Sequence, residues 1–315
     1  MFAAVVTEFG KPPTYQEFPD PQPRPGEVVV EVLAAGLHRR VRSGAAGSHY
    51  TSDGTLPLVP GFDGVGRTPD GARVFISGLD APNGSMAERV AVPADRLIPL
   101  PDAVPDDQAA ALMNPAMSAW VALTQRAALR PHETVLVLGA TGSAGQSAVR
   151  LAKHLGAAKV IAAGRNPQAL AALPELGADE VVTLTADALA VAADVDVVVD
   201  YLWGPPAELT LAAIGGARAD HAHRLRWVHV GAMAGPTITL PAAALRKTNI
   251  DISGSGQGSV SAEDLHEAHR QLLQALPDTG LRIDTLTMPL SDVEHAWSRE
   301  TPTGTRILLI PAQQR

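Results

Sequence analysis

Gly139, Gly142 and Gly145 stand three residues apart in the run Val135-Leu136-Val137-Leu138-Gly139-Ala140-Thr141-Gly142-Ser143-Ala144-Gly145. Glycines at this spacing let a backbone turn sharply after a strand and bring its N–H groups, and the start of the following helix, close to a phosphate. Ala140, Thr141, Ser143 and Ala144 supply the backbone between them. The chemistry this suits is binding a dinucleotide pyrophosphate. The spacing departs from G-x-G-x-x-G, since Ala140 stands where that motif has its first glycine, and a plain tight turn before a helix reads the same way locally. The chain beyond the turn favours the cradle. Residues 159–163 form a second apolar run after a helical stretch, completing a strand-helix-strand unit of the right length.

The residue after that second strand selects the cofactor. An acid about twenty residues past the glycines accepts hydrogen bonds from a free ribose 2′-hydroxyl, whereas an arginine suits a 2′-phosphate. No Asp or Glu lies between Gly145 and Glu175, and Gly164-Arg165-Asn166 occupies that place. The expected cofactor is therefore NADPH, with Gly164, Arg165 and Asn166 at its adenosine end. Arg165 also reads as a solvated loop residue before a helix that Asn166 caps and Pro167 begins.

The elements that must position these residues are legible in the pattern of the chain. Residues 134–138 are β-branched and aliphatic without alternation, as in a parallel strand buried on both faces. Ala144, Ala148, Leu151, Ala152 and Leu155 then recur at helical spacing. Further strands are expected at 196–200, 227–230 and 250–253, with a helix at 206–213 among them, giving a doubly wound α/β pattern. Tyr201 falls at the carboxyl end of one strand, where such sheets bind ligands, or packs on the next helix instead. Gly231 comes after another strand and lets a cofactor approach. Gly254 and Ser255 open a glycine-rich run that approaches the cofactor or acts as a hinge.

The first third reads differently. Short strands at 27–33, 72–76 and 87–92 are separated by Pro and Gly turns, and helical periodicity begins near Asp106. Ser261-x-x-Asp264 caps a later helix. The tail at 284–290, 293–299 and 306–310 returns to strand, helix and strand. It is too small to stand alone and is expected to complete the first domain.

Composition bounds the function. The chain has 315 residues, 46% of them hydrophobic, enough for two domains with substantial cores. A formal charge of −8 argues against nucleic acid as a partner. With no long uncharged apolar span and no basic-then-apolar leader, the expectation is a cytoplasmic protein that does not enter a membrane. There are no cysteines, which excludes disulfides, thiolate nucleophiles and cysteine-ligated zinc.

Over essentially its whole length the chain resembles the medium-chain dehydrogenase/reductase superfamily, in the zinc-independent quinone oxidoreductase and enoyl reductase branch. The residues that carry the resemblance are Pro25-Gly26-Glu27-Val28, Leu58-Val59-Pro60-Gly61-Phe62-Asp63-Gly64-Val65-Gly66 and Gly84-Ser85-Met86-Ala87-Glu88. Leu151-Ala152-Lys153-His154-Leu155-Gly156-Ala157, Leu176-Gly177-Ala178-Asp179 and Gly304-Thr305-Arg306-Ile307 come after them in order. The resemblance implies a Rossmann doubly wound parallel sheet plus a GroES-like β-barrel domain built from N- and C-terminal segments. The boundaries expected are 1–116 for the first part of the barrel domain, 117–255 for the Rossmann domain and 256–315 for the returning segment. The nicotinamide is then expected in the cleft between domains.

Zinc members of the superfamily place metal ligands at positions held here by His38, Phe62 and Asn114. One histidine beside a phenylalanine is not a zinc site, because the metal takes about three protein ligands even in an open catalytic site. The expected metal is none. Hydride transfer without a metal favours quinones and α,β-unsaturated carbonyls, which accept hydride at carbon and place charge on an oxygen that one or two donors can stabilise. By resemblance Tyr50 is the leading proton donor, or else a loop tyrosine packed on the barrel. His38 is a substrate contact or a polar wall residue. Asn114, at the start of the helix entering the Rossmann domain, binds substrate or nicotinamide or caps the turn before Pro115. Ser118 matches a residue near the nicotinamide ring. Asp63 reads as structural.

The function expected is zinc-independent, NADPH-dependent hydride transfer to a small electrophilic substrate, a quinone or conjugated carbonyl. A metal-free carbonyl reductase or alcohol dehydrogenase is the second reading. An NADPH-binding redox sensor or structural protein is the third. The resemblance also implies a homodimer paired through the edge strand at 250–253.

Overall fold

The computed structural model describes residues 1–79, 81–302 and 304–312. Two compact units divide the chain: Met1–Asn114, His269–Pro277 and Arg282–Arg315 form one, Pro115–Ala268 and Asp278–Leu281 the other.

The first unit opens with β1 (Phe2–Val5) and β2 (Thr14–Glu17), an antiparallel pair. It continues with β3 (Glu27–Leu37), α1 (Arg39–Ala45), β4 (Asp63–Arg67), β5 (Arg73–Ser77), β6 (Arg89–Pro93) and β7 (Ile98–Pro99). Period-two alternation buries Val30 and Val32 of β3 with Val74, Ile76, Val90 and Val92 in one apolar cluster. Along β3 the pairing changes: Glu27 to Glu31 face β6, and the pairing with β4 shifts register between Val32 and Ala34. Such a bulge bends the strand, and beyond it every residue from Ala34 to Leu37 is buried. Helix α2 (Asp106–Val121) comes next.

In the second unit β8 (Thr134–Leu138), α3 (Ser143–His154), β9 (Lys159–Gly164), α4 (Pro167–Leu170), β10 (Glu180–Thr183) and α5 (Ala186–Leu189) alternate. The alternation continues with β11 (Val197–Asp200), α6 (Gly204–Ala217), β12 (Leu225–His229), α7 (Ala242–Lys247) and β13 (Ile250–Gly254). All six strands are parallel, in the order β10-β9-β8-β11-β12-β13. Numbered from β8, that is 3-2-1-4-5-6, with the direction of winding reversing between β8 and β11. Val135 to Leu138 are fully buried, and α3 lays Ala148, Leu151 and Ala152 on the sheet as its periodicity predicts.

The chain then enters α8 (Ala262–Thr279), whose N-cap Ser261 accepts the Asp264 N–H at 3.0 Å. It ends with β14 (Asp284–Pro289), α9 (Val293–Ser298) and β15 (Thr305–Ile310). The tail adds to the first unit: β15 pairs antiparallel with β3 and parallel with β14, so the sheet runs β14-β15-β3-β4-β5-β7 with β6 also on β3. The sequence reading of a Rossmann sheet plus a second, strand-rich domain closed by the C-terminal segment agrees with this architecture. Among the described residues no helix is long and apolar enough to cross a membrane.

Candidate active site

In the second unit the residues expected to hold a dinucleotide lie along the carboxyl edge of the sheet. Gly139 ends β8 with φ +81°, and its N–H and that of Ala140 both donate to the Ala163 carbonyl at 3.0 Å. The turn is thereby fastened to β9. Gly142 is the N-cap of α3 and is exposed, while a Cβ on Gly145 would stand 2.3 Å from the Gly139 carbonyl oxygen. The third glycine is thus what lets α3 start against the turn, presenting the amides of Ser143 and Ala144, which as first-turn groups have no acceptor within the helix.

Gly164 packs against Thr141 of the turn, since a Cβ there would meet Thr141 Cγ2 at 3.1 Å. Arg165 comes next at the surface, and among the described residues its guanidinium has no hydrogen bond or ion pair. Asn166 caps α4, accepting the N–H of Gln168 at 2.9 Å and of Ala169 at 3.3 Å, so its carboxamide oxygen is already engaged. Tyr201 sits on the other side of the turn, its Cβ within 3.4 Å of where a Gly139 Cβ would lie. Its hydroxyl is 3.5 Å from the Ser118 hydroxyl, and burial pushes the phenol above its ordinary range. Gly231 lies under the Tyr201 carbonyl. Ser255 is buried with its N–H on the His229 carbonyl at 2.8 Å, and the Gly254 carbonyl accepts from Arg126.

Asp200, which sequence reasoning passed over, organises this edge. Its Oδ1 accepts the N–H of Leu202 at 2.8 Å and of Trp203 at 3.0 Å, and its Oδ2 accepts the Trp227 indole N–H at 3.2 Å. Burial holds its carboxyl above the ordinary range, a rise that these donors and His229 offset only in part. The turn it holds is strained, for Trp203 has φ +53° and ψ −160°, a region costing about 1–3 kcal/mol for a non-glycine residue. Its ring packs 4.5 Å from that of His229. Asp200→Ala leaves the buried Trp227 indole N–H and the part-buried amides of Leu202 and Trp203 without their acceptor, and is expected to cost about 2–4 kcal/mol in denaturant unfolding, whereas a loss below about 0.5 kcal/mol would contradict this role.

In the first unit His38 ends β3 and precedes α1. It is 2% exposed, and its Nε2 lies 2.9 Å from Asp63 Oδ1. The imidazole donates and the carboxylate accepts, so Asp63 is the partner of the candidate residue; 25 positions of separation gave no local sign of it. The Ser85 hydroxyl donates to the Asp63 carbonyl. Asn114 requires a correction: it lies inside α2, which starts at Asp106 and continues through Pro115, so it is neither at a helix start nor capping a turn. Pro115 suggested an interruption, but the helix tolerates it. Among the described residues the Asn114 carboxamide has no hydrogen-bond partner.

Tyr50 is 70% exposed in the segment after α1, its ring stacked 4.3 Å from that of His49. Burial first, and the Arg40 charge second, hold His49 down at about 4, leaving it neutral near pH 7. Arg40 is a further residue the sequence reading missed. It donates to the Thr51 hydroxyl at 3.0 Å and lies 4.7 Å over the Phe62 ring. Both line a cavity of about 360 Å³ with Val41, Thr51, Asp53 and Asn83. That is room for a small ligand.

Comparison with known proteins gives these features a family. Residues 144–274 match the family described as zinc-binding dehydrogenase. The positions tested for metal lie outside that match: His38 Nε2 is held by Asp63, Phe62 offers no lone pair, and among the described residues no three His, Cys, Asp or Glu side chains converge to hold an ion. These residues do not fit a zinc site. The chain is 32% identical to "Probable NADPH-dependent quinone reductase tdiC" of Emericella nidulans, across 99% of this chain and 100% of that one. The solved quinone oxidoreductase of Thermus thermophilus, described with its NADPH complex, is 29% identical with a TM-score of 0.81, covering 98% of this chain and 100% of that one. Quinone oxidoreductase of Pseudomonas syringae pv. Tomato is 26% identical with a TM-score of 0.82, covering 99% and 100%. The chain belongs to the medium-chain dehydrogenase/reductase superfamily of oxidoreductases, in its quinone oxidoreductase-like branch.

Proposed function

We propose that the protein is a metal-independent, NADPH-dependent reductase of quinones or α,β-unsaturated carbonyls. The observation that carries the metal-independent part is the buried His38–Asp63 pair beside Phe62, where zinc members of the superfamily hold ligands. The cradle fits the cofactor: the α3 amides and the exposed Gly142 face the pyrophosphate, and Arg165 is available for the 2′-phosphate. NADPH, when bound, supplies a hydride, which a conjugated acceptor takes at carbon while negative charge moves to its oxygen.

The residues of the chain bind, orient and protonate. Tyr201, Ser118, Gly231 and Ser255 line the edge that receives the nicotinamide half, with Gly254 beside them, and Asn166 borders the adenosine end after β9. His38, Asn114 and Tyr50 are the polar groups offered to the acceptor, which lodges in the cavity lined by Arg40 and Phe62. A cytoplasmic setting is part of the same reading, resting on a sequence with no long uncharged apolar span. The open edge of β13 supports a homodimer.

The test is NADPH and NADH consumption against quinones, enones, enoyl thioesters, saturated ketones and alcohols, with product identification. Turnover of quinones or enones with NADPH is the expected result. Activity confined to saturated ketones or alcohols would replace this reading with that of a carbonyl reductase or alcohol dehydrogenase, and NADPH binding without any oxidation would remove the enzyme.

A further inference from the structure

The His38 environment holds more than one hydrogen bond, and what it implies rests on the reductase reading above. His38 leaves β3 still extended, with φ −117° and ψ 174°. The antiparallel register sets Ile307 against Leu37, and continued by one residue past the end of β3 it brings Arg306 of β15 opposite His38. Residues opposite one another across two strands share a face, so imidazole and guanidinium leave the sheet on the same side. Asp63 reaches that imidazole from β4 on the other flank. Helix α2 covers the face, since a Cβ on Gly36 would meet the Ala110 carbonyl oxygen at 2.6 Å, and Asn114 is one helical turn beyond Ala110. The 360 Å³ cavity is lined by Phe62, the chain neighbour of Asp63, and by Arg40 and Val41 of α1, the helix that His38 precedes.

Two nitrogens in this cluster are unsatisfied. With Nε2 donating to Asp63, His38 Nδ1 is buried without a hydrogen-bond partner among the described residues, and so is Nε of Arg306. Leaving a buried polar group unpaired is costly, and such groups are few in folded proteins. Burial pulls Arg306 below its ordinary range; Asp63 opposes that and Arg42 of α1 adds to it. A ligand oxygen reaching both nitrogens would satisfy both, accepting from Arg306 Nε and from a protonated His38 Nδ1.

We propose that His38 is the proton donor of the reduction, with Asp63 as its positioning residue and Arg306 stabilising charge on the same substrate oxygen. In the donor state the ring carries protons on both nitrogens, with Asp63 as its counter-charge. With NADPH bound, hydride would reach substrate carbon, and His38 would give its Nδ1 proton to the electron pair displaced onto oxygen, the Nδ1–H bond breaking as the O–H bond forms. Neutral His38 keeps its Nε2 proton on Asp63 and regains the other from solvent.

Four measurements decide it: turnover with NADPH and the best acceptor, direct NADPH titration, rescue by added imidazole, and the ¹⁵N spectrum of the histidines in the unmodified protein. His38→Ala is expected to lower kcat about 10²- to 10⁴-fold with NADPH affinity within about twofold, and imidazole is expected to restore at least about tenfold of that loss. Asp63→Asn is expected to lower kcat about tenfold or more with KM little changed, because an amide no longer enforces one tautomer. The unmodified protein is expected to show the Nε2–H tautomer for the neutral His38 ring, assigned by its absence from His38→Gln.

His38→Ala turning over within about threefold of the parent, or imidazole leaving a disabled variant unchanged, would overturn the assignment. So would an Nδ1–H tautomer, a result that does not depend on the alanine variant folding. In each of those cases the parent still reduces its acceptor and the reductase reading stands. A parent that binds NADPH but reduces nothing would bring down that reading and this one together.

Discussion

Gly145→Val is expected to cost about 3 kcal/mol or more of stability and to weaken NADPH binding on the order of 100-fold, which corresponds to about 2.7 kcal/mol. The reason is geometric. A Cβ at this position would lie 2.3 Å from the Gly139 carbonyl oxygen, 2.6 Å from Ala140 Cα and 2.9 Å from the Ala140 carbonyl carbon, all backbone atoms. None can rotate away, so α3 must lift from the end of β8 and take the amides of Ser143 and Ala144 with it. Denaturant unfolding and direct titration check the two effects. A valine variant that unfolds and binds like the parent would show that α3 does not need this contact.

Arg165→Asp is expected to move the ratio of kcat/KM for NADPH over NADH by about 100- to 1000-fold toward NADH, or about 2.7–4 kcal/mol of transition-state discrimination. Arg165 stands exposed directly after β9 with no partner among the described residues, so its charge remains available to a 2′-phosphate. An aspartate there repels that phosphate and accepts hydrogen bonds from a free 2′-hydroxyl. The substitution touches no core residue and should leave unfolding unaltered. Steady-state kinetics with both cofactors measures it, and an unchanged preference would refute the phosphate role.

Range along the chain separates the features legible in the sequence from those it hid. The glycine turn, the buried strand β8, the Asn166 cap and the Ser261 cap are local features, decided by residues within a few positions of each other. The doubly wound parallel sheet was implied by the alternation of strands with helices, whereas the order of its strands comes from the structure. Strand β10 was missed because its four residues are short and partly exposed, without a buried run to mark them. The Asp63 partner of His38 was missed for a different reason. It depends on strands paired across a register shift in β3, which spacing along the chain does not reveal.

Pro115 misled in the opposite direction, suggesting a boundary where α2 runs on and placing Asn114 at an end it does not occupy. Trp203 carried no sign of its positive φ, a conformation that Asp200 sustains by accepting two backbone N–H groups. In both places tertiary contacts override a local preference. Arg306 shows the same limit: its identity was readable, but only the pairing of β15 with β3 sets it opposite His38.

NADPH is expected to drive this reduction without a metal, with His38 and Phe62 standing where zinc-dependent members of the superfamily place ligands. The direct measurement is the rate of NADPH-dependent quinone or enone reduction by protein dialysed against a strong chelator, with metal content determined on the same sample. The expected result is an unchanged rate at a zinc content far below one ion per chain. Loss of activity on chelation, restored by added zinc, would contradict it.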